Sequence, residues 1–252
     1  MSRRALVTGA ASGLAAGIAP ELVAAGFELV AITYRTTPPD QTLAAIRAAG
    51  ADATATRVDF LDDERTIAST LDTLVRESGP FDTLVHAVGP LVVRPFERTT
   101  MAEYHEMFDG NVRSAVLCAH ALLPSMRERR FGRVVFFGMN GASQTVPFRG
   151  FSLHQAAKSA VVAFARSLAL EEAGYGITVN VIEPGDIRQK SIDRARAREL
   201  IAGTPRGRPG SYQDVADTVR FLVDADRDFI TGAVIGVTGG LKGAAERNAS
   251  DQ

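Results

Sequence analysis

The stretch Ala5-Leu6-Val7-Thr8-Gly9-Ala10-Ala11-Ser12-Gly13-Leu14-Ala15-Ala16-Gly17-Ile18-Ala19-Pro20-Glu21-Leu22-Val23-Ala24-Ala25-Gly26 decides how the rest of the chain is read. Ala5 to Val7 form a short apolar run that suits a buried strand. Thr8 to Gly13 form a tight turn, and Leu14 to Ala25 an apolar-rich helix that Gly26 ends. A strand feeding a glycine turn into a helix start makes a site for an anion. The glycines let backbone approach a ligand closely, and the first free amides, at the positive end of the helix dipole, favour a phosphate. The same turn also serves as plain structure, so its meaning depends on the residues downstream.

Beyond Gly26, strands and helices alternate. Phe27–Thr33 reads as a second strand, closed by Tyr34-Arg35 and the breakers Thr36-Thr37-Pro38-Pro39. Helix 41–49, strand 53–58, helix 62–78 and strand 81–87 come next. A long helical segment, 101–129, carries Pro124, which is expected to kink or split it near its end. Strand 133–137, helix 152–173, strand 177–182, helix 214–222 and strand 233–237 complete the series. Such alternation implies crossover connections and a parallel sheet covered on both faces. Residues 183–212, with Pro184, Pro205, Pro209 and a charged helical piece at 191–201, suit a mobile loop over a cleft.

The chain has 252 residues, 46% of them hydrophobic, which suits one α/β domain over 1–240 with a polar tail at 241–252. A formal net charge of −1 with interspersed signs gives no field to gather nucleic acid or an anionic membrane, so neither is expected as a partner. The single cysteine, Cys118, excludes an internal disulfide. The start shows no secretory apolar region, and no run approaches the roughly 18 apolar residues of a membrane span, so a soluble, cytoplasmic protein is expected.

In an open parallel sheet the ligand lies beyond the carboxyl ends of the strands, here Gly9, Arg35, Asp59, Gly89, Gly138 and Pro184. Together with Thr8 and Gly13 in front, Asn111 in the central helix, Lys158 in the next, and Thr231-Gly232 and Val237-Thr238-Gly239-Gly240 near the end, this set resembles the short-chain dehydrogenase/reductase family. The resemblance runs from about Arg4 to Gly240. It implies a three-layer Rossmann-type, doubly wound fold, a homotetramer or homodimer, a small-molecule substrate, a nicotinamide dinucleotide and no metal. The implied cofactor residues are Gly9, Ser12, Gly13, Leu14, Tyr34, Arg35, Asp59, Phe60, Ala87, Gly89, Lys158, Pro184, Gly185 and Ile187. Asp59 would accept from the adenine amino group. At the end of the second strand an acidic residue would bind the ribose of NAD, whereas Arg35 can pair with a 2′-phosphate, so NADP(H) is expected.

The chain departs from the family pattern in several places. The third turn glycine is Ala15, and the turn after the fourth strand is His86-Ala87-Val88-Gly89 instead of an asparagine-rich one, so one side-chain tether is expected to be missing. Gln189 stands where a threonine commonly contacts the nicotinamide amide. The family's general acid is a tyrosine four residues before the lysine, and in this chain that position is His154. A neighbouring Lys158 cation would lower the pKa of this imidazole, ordinarily near 6.5. A substrate-polarising serine is expected at Met139 or Gly141, neither of which has a hydroxyl, leaving Ser143 or Asn140 as substitutes.

Three functions stay open. One is an NADP(H)-dependent oxidoreductase reducing a carbonyl, C=N or activated C=C bond, using Asn111, Ser143, His154 and Lys158. The others are a cofactor-binding protein without turnover, acting as sensor or partner subunit, and a lyase or isomerase with His154 as base.

Overall fold

In a computed structural model, residues 3–187 and 192–241 are described. The opening strand β1 (Arg4–Thr8) pairs in parallel with β2 (Leu29–Tyr34) on one side and β4 (Thr83–His86) on the other. Outward from these lie β3 (Asp52–Arg57), β5 (Gly132–Phe137), β6 (Ile177–Pro184) and β7 (Val234–Val237), giving one seven-stranded sheet in the order β3-β2-β1-β4-β5-β6-β7. Every pairing is parallel, so each connection must cross over a face of the sheet. The order reverses between β1 and β4, which opens a crevice at their carboxyl ends.

The pleat sorts the core into two halves. Ala5 and Val7 of β1, Val30 and Ile32 of β2, and Val135 and Phe137 of β5 face one layer, made of α1 (Gly13–Glu21), α2 (Asp40–Ala48) and α8 (Tyr212–Val223). Leu6, Ala31, Val134 and Phe136 face the other, made of α3 (Glu64–Ser78), α5 (Ser114–Arg129) and α6 (Ser152–Glu172). Strands buried on both faces explain why the sequence shows apolar runs rather than alternation. At the far end of the sheet Arg133 of β5 is 1% exposed and donates to the carbonyls of Gly132, Gly176, Asp224 and Ala225.

Several elements differ from the sequence expectation. The first helix is α-helical only to Glu21 and tightens into a 3₁₀ turn over Leu22–Ala25, because Pro20 carries no amide for the last regular turn. Gly26 ends it at φ 83, as expected. The 101–129 segment does not break at Pro124. That residue sits on the exposed face of α5, where the carbonyl it deprives, on exposed His120, can be met by water. The interruption falls earlier, at a π-helical turn, Asp109–Arg113, between α4 (Met101–Phe108) and α5.

The segment after β6 is fastened over much of its described length. Its short helix α7 is Arg194–Arg198, shorter than the 191–201 expected, and Ser191 lies outside the described residues. Gly210 N donates to Asp186 O, and Arg206 N to Gly239 O. A ladder of ion pairs runs from Arg208 to Asp214 to Arg194 to Asp217 to Arg220 to Glu21, joining this segment to α8 and α1. The expected polar tail lies almost wholly outside the described residues. Among the described residues, no helix is long and apolar enough to cross a membrane.

Candidate functional site

The site is built at the carboxyl ends of the strands, starting from the glycine turn. Gly9 at φ 70 and Gly13 at φ 66 take the left-handed backbone that only glycine adopts cheaply. Thr33 holds the turn, its hydroxyl accepting from Gly9 N at 3.1 Å and its carbonyl from Ala10 N at 3.0 Å. Exposed Ser12 is the N-cap of α1 but makes no side-chain cap bond, and no acidic residue stands in the first turn. The opening amides of α1, with Leu14 beside them, are therefore left for a ligand. Ala15, in place of the third glycine, is buried in α1.

Beyond the neighbouring strands, Tyr34 and Arg35 end β2, and Asp59 and Phe60 come after β3. Arg35 Nε donates to Asp59 Oδ2 at 3.0 Å, and Asp59 Oδ1 accepts from Leu61 N. Arg57 Nε donates to the Arg35 carbonyl, steadying the backbone there. A hollow of about 420 Å³ lies beside them, lined by Arg35, Leu61 and His105. A larger one of about 550 Å³, near Val23, Phe27 and Arg47, sits at the opposite end of the strands and is remote from this chemistry.

The turn after β4 is tethered after all, by His86. The Thr8 hydroxyl oxygen accepts from Ala87 N and Val88 N, so its own hydrogen is available to His86 Nδ1, 3.0 Å away. That assigns the hydrogen of the ring to Nε2, which donates to Ser114 Oγ at 3.0 Å, and Ser114 in turn donates to the Gly110 carbonyl in the π-helical turn. Complete burial, with the Lys158 cation adding to it, pushes the His86 pKa down to about 3. A neutral imidazole thus ties the glycine turn to the segment carrying Asn111.

Asn111 is 1% exposed and donates through Nδ2 to the carbonyls of Met107 at 2.9 Å and Pro90 at 3.2 Å. The Pro90 carbonyl oxygen is also 3.2 Å from His154 Nδ1. A carbonyl only accepts, so Nδ1 bears a hydrogen. One helical turn further along α6, Lys158 is buried and donates to the Phe137 carbonyl at 2.9 Å. Gly89 is what allows Asn111 and Lys158 to converge. A Cβ on Gly89 would lie 2.6 Å from Asn111 Oδ1 and 2.8 Å from Lys158 Nζ.

On the substrate side, Ser143 lies in a 3₁₀ turn, Ala142–Gln144, after β5, with Met139 and Asn140 just before it. Sequence reasoning passed over Glu183, at the end of β6, whose carboxylate accepts from Gly141 N and Ser143 N. The signal available was a lone charge closing the apolar run Val179-Asn180-Val181-Ile182. Pro184 and Gly185 complete that edge, Gly185 passing so close to Thr238 that a Cβ would lie 2.7 Å from its Cα. Ile187 bridges to Gly210, while Arg188 and Gln189 lie outside the described residues.

The residues present fit a nicotinamide dinucleotide. The uncapped start of α1 suits a pyrophosphate, and Asn111 Oδ1, buried and without a hydrogen-bond partner, needs a donor that a ligand or an ordered water brings.

Comparison with known proteins agrees with this geometry. Residues 9–242 match the family profile described as enoyl-(acyl carrier protein) reductase. The chain is 34% identical over 241 residues to the 3-oxoacyl-[acyl-carrier-protein] reductase of Haemophilus influenzae, covering 94% of this chain and 97% of that protein. Among solved structures, an acetoin dehydrogenase from Enterobacter cloacae superposes with a TM-score of 0.84 at 28% identity, covering 95% of each chain. A blue fluorescent protein from a metagenomic library, in complex with NADPH, superposes with a TM-score of 0.81 at 30% identity, covering 94% of this chain and 97% of that one. With the seven-stranded parallel sheet, the glycine turn and the Lys158 site in place, these matches show that the chain belongs to the short-chain dehydrogenase/reductase family of oxidoreductases.

Proposed function

We propose that this protein is an NADPH-dependent reductase of a small carbonyl substrate of the 3-oxoacyl or ketone kind, with His154 in the place of the family's tyrosine. The observation that carries the reading is the convergence of His154, Lys158 and Asn111 around Pro90 and Gly89, in front of the glycine turn. Arg35 at the end of β2 supports the phosphorylated cofactor, as its guanidinium can pair with a 2′-phosphate while Nε stays on Asp59. The names of the Haemophilus relative and the NADPH-bound neighbour point the same way.

A nicotinamide held at this site would supply the hydride for the carbonyl carbon. The Gly9–Gly13 turn and Ser12 would hold the pyrophosphate, Arg35 the 2′-phosphate, and Lys158 the nicotinamide ribose. His154 gives the proton on Nε2 to the carbonyl oxygen and is recharged from solvent, Nδ1 staying on the Pro90 carbonyl throughout. Ser143 or Asn140 polarises that oxygen. The lack of a hydroxyl at Met139 and Gly141 favours one rival, a cofactor-binding protein without turnover. We further propose a homodimer or homotetramer, supported by Leu170 on α6 and Phe221 on α8, both exposed.

Calorimetric titration with NADPH and NADH, followed by NADPH oxidation with ethyl acetoacetate, tests the reading. Micromolar NADPH binding with turnover is expected. Binding without turnover on any carbonyl selects the rival, and no binding of either dinucleotide removes both.

A further inference from the structure

We infer that Glu183 is a positioning residue that sets the substrate-facing turn of this site. Glu183 is 5% exposed at the end of β6, and its two carboxylate oxygens divide two backbone donors of the β5–α6 connection between them. Oε1 accepts from Ser143 N at 2.7 Å, and Oε2 from Gly141 N at 3.1 Å. A buried carboxylate is costly unless hydrogen-bonded, and these two amides are what keep it in place.

The turn it grips closes on itself through Ala142 N to Met139 O and Val146 N to Gly141 O, but at a cost in backbone strain. Gly141 at φ 81 and Thr145 at φ 54 bracket it, both in the left-handed region, and Thr145 is one of two such non-glycine residues among those described. Backbone of this kind persists when its surroundings over-determine it. From outside the loop Glu183 takes two of its amides and Ser159 of α6 donates to the Ala142 carbonyl, and the fold makes room for the carboxylate. A Cβ on Gly138 would stand 3.1 Å from Glu183 Cγ, so the glycine ending β5 and the glutamate ending β6 are fitted to each other.

This grip bears on the chemistry in two ways. The amides of Gly141 and Ser143 are spent on Glu183 and do not form an oxyanion hole, so polarisation of a substrate oxygen falls to the Ser143 or Asn140 side chain. The place of those side chains relative to His154, in the first turn of the next helix, then depends on this carboxylate, which holds two of the turn's amides. Glu183 acts through the turn and need not touch substrate.

The kinetic part of this inference rests on the reductase reading; the structural part does not. The test compares the full-length protein with E183Q, E183A and G138A. Readouts are amide hydrogen exchange over residues 139–151, NADPH affinity by fluorescence, and kcat and KM for ethyl acetoacetate. The glutamine retains one acceptor oxygen and turns an amide toward the other N–H, so E183Q should fall between the parent and E183A. Exchange at Gly141 and Ser143 should accelerate at least tenfold in E183A, NADPH affinity should stay within about twofold, and kcat should fall at least tenfold. G138A, which keeps the carboxylate but displaces it, should move exchange and kcat in the same direction. Unchanged exchange in E183Q and E183A overturns the inference whatever the activity, and so does a loss of NADPH affinity that parallels the loss of kcat. If the parent protein reduces nothing, the reductase reading fails while the exchange measurement still decides the role of Glu183.

Discussion

Asn111 and His154 meet at a single acceptor, the carbonyl oxygen of Pro90, each 3.2 Å from it. This shared contact holds the His154 ring through Nδ1 beside Asn111, leaving Nε2 as the other ring nitrogen. If His154 is the proton donor, kcat should fall as pH rises through its pKa, because only the imidazolium carries the transferable proton. His154→Phe should lower kcat by about 100-fold or more, with NADPH affinity preserved. Steady-state rates from pH 5 to 9 check both, and a phenylalanine variant at full rate would remove His154 from the mechanism.

Gly89 is the second point of convergence. Gly89→Ala would put a methyl 2.6 Å from Asn111 Oδ1 and 2.8 Å from Lys158 Nζ, closer than real Cβ contacts come. One of the two buried groups must move, and NADPH affinity should fall about tenfold or more, the scale of one lost charge-assisted hydrogen bond. Fluorescence titration of the variant measures it.

Arg35 and Asp59 form one unit at the cofactor's far end, so substitutions there act on both. Arg35→Asp places a second carboxylate beside Asp59 and should weaken NADPH binding about tenfold or more while favouring NADH. An unchanged NADPH to NADH affinity ratio would exclude Arg35 from cofactor choice.

His86 predicts an acid limit. Its pKa in the folded protein is about 3, against about 6.5 unfolded. Between those values the unfolded chain binds a proton that the folded one does not, so stability falls as pH drops from 6.5 toward 3 and is unaffected by this group above that window. The slope is at most about 1.4 kcal/mol per pH unit. His86→Asn should flatten this dependence while costing about 1–3 kcal/mol at neutral pH through the hydrogen bonds that Thr8 and Ser114 make to the ring. Urea melts at pH 4.5, 5.5 and 7 separate the two effects, and a parallel pH dependence in both proteins would contradict it.

Much of this protein was legible from local pattern. The apolar runs, the glycines at 9, 13 and 26, and the strand-helix alternation specify a parallel sheet and its ligand edge, since each is set by residues adjacent in sequence. The spacing of His154 and Lys158 on one helix face is fixed in the same way. Local pattern failed where a distant partner decides. Pro124 reads as a helix break but lies on an exposed face, and the true interruption, at Asp109–Arg113, is where Ser114 donates back to Gly110 and receives His86 from another strand. His86 reads as a lost tether, yet Thr8 and Ser114 make it one. Glu183 reads as the end of a strand until the loop amides fold onto it. Hydrophobic period and turn chemistry are written along the chain, so the sequence alone determined the sheet and the glycine turn. Hydrogen bonds between groups brought together by crossover connections carry no local signature, so only the tertiary structure decided which buried polar side chains hold the site in shape.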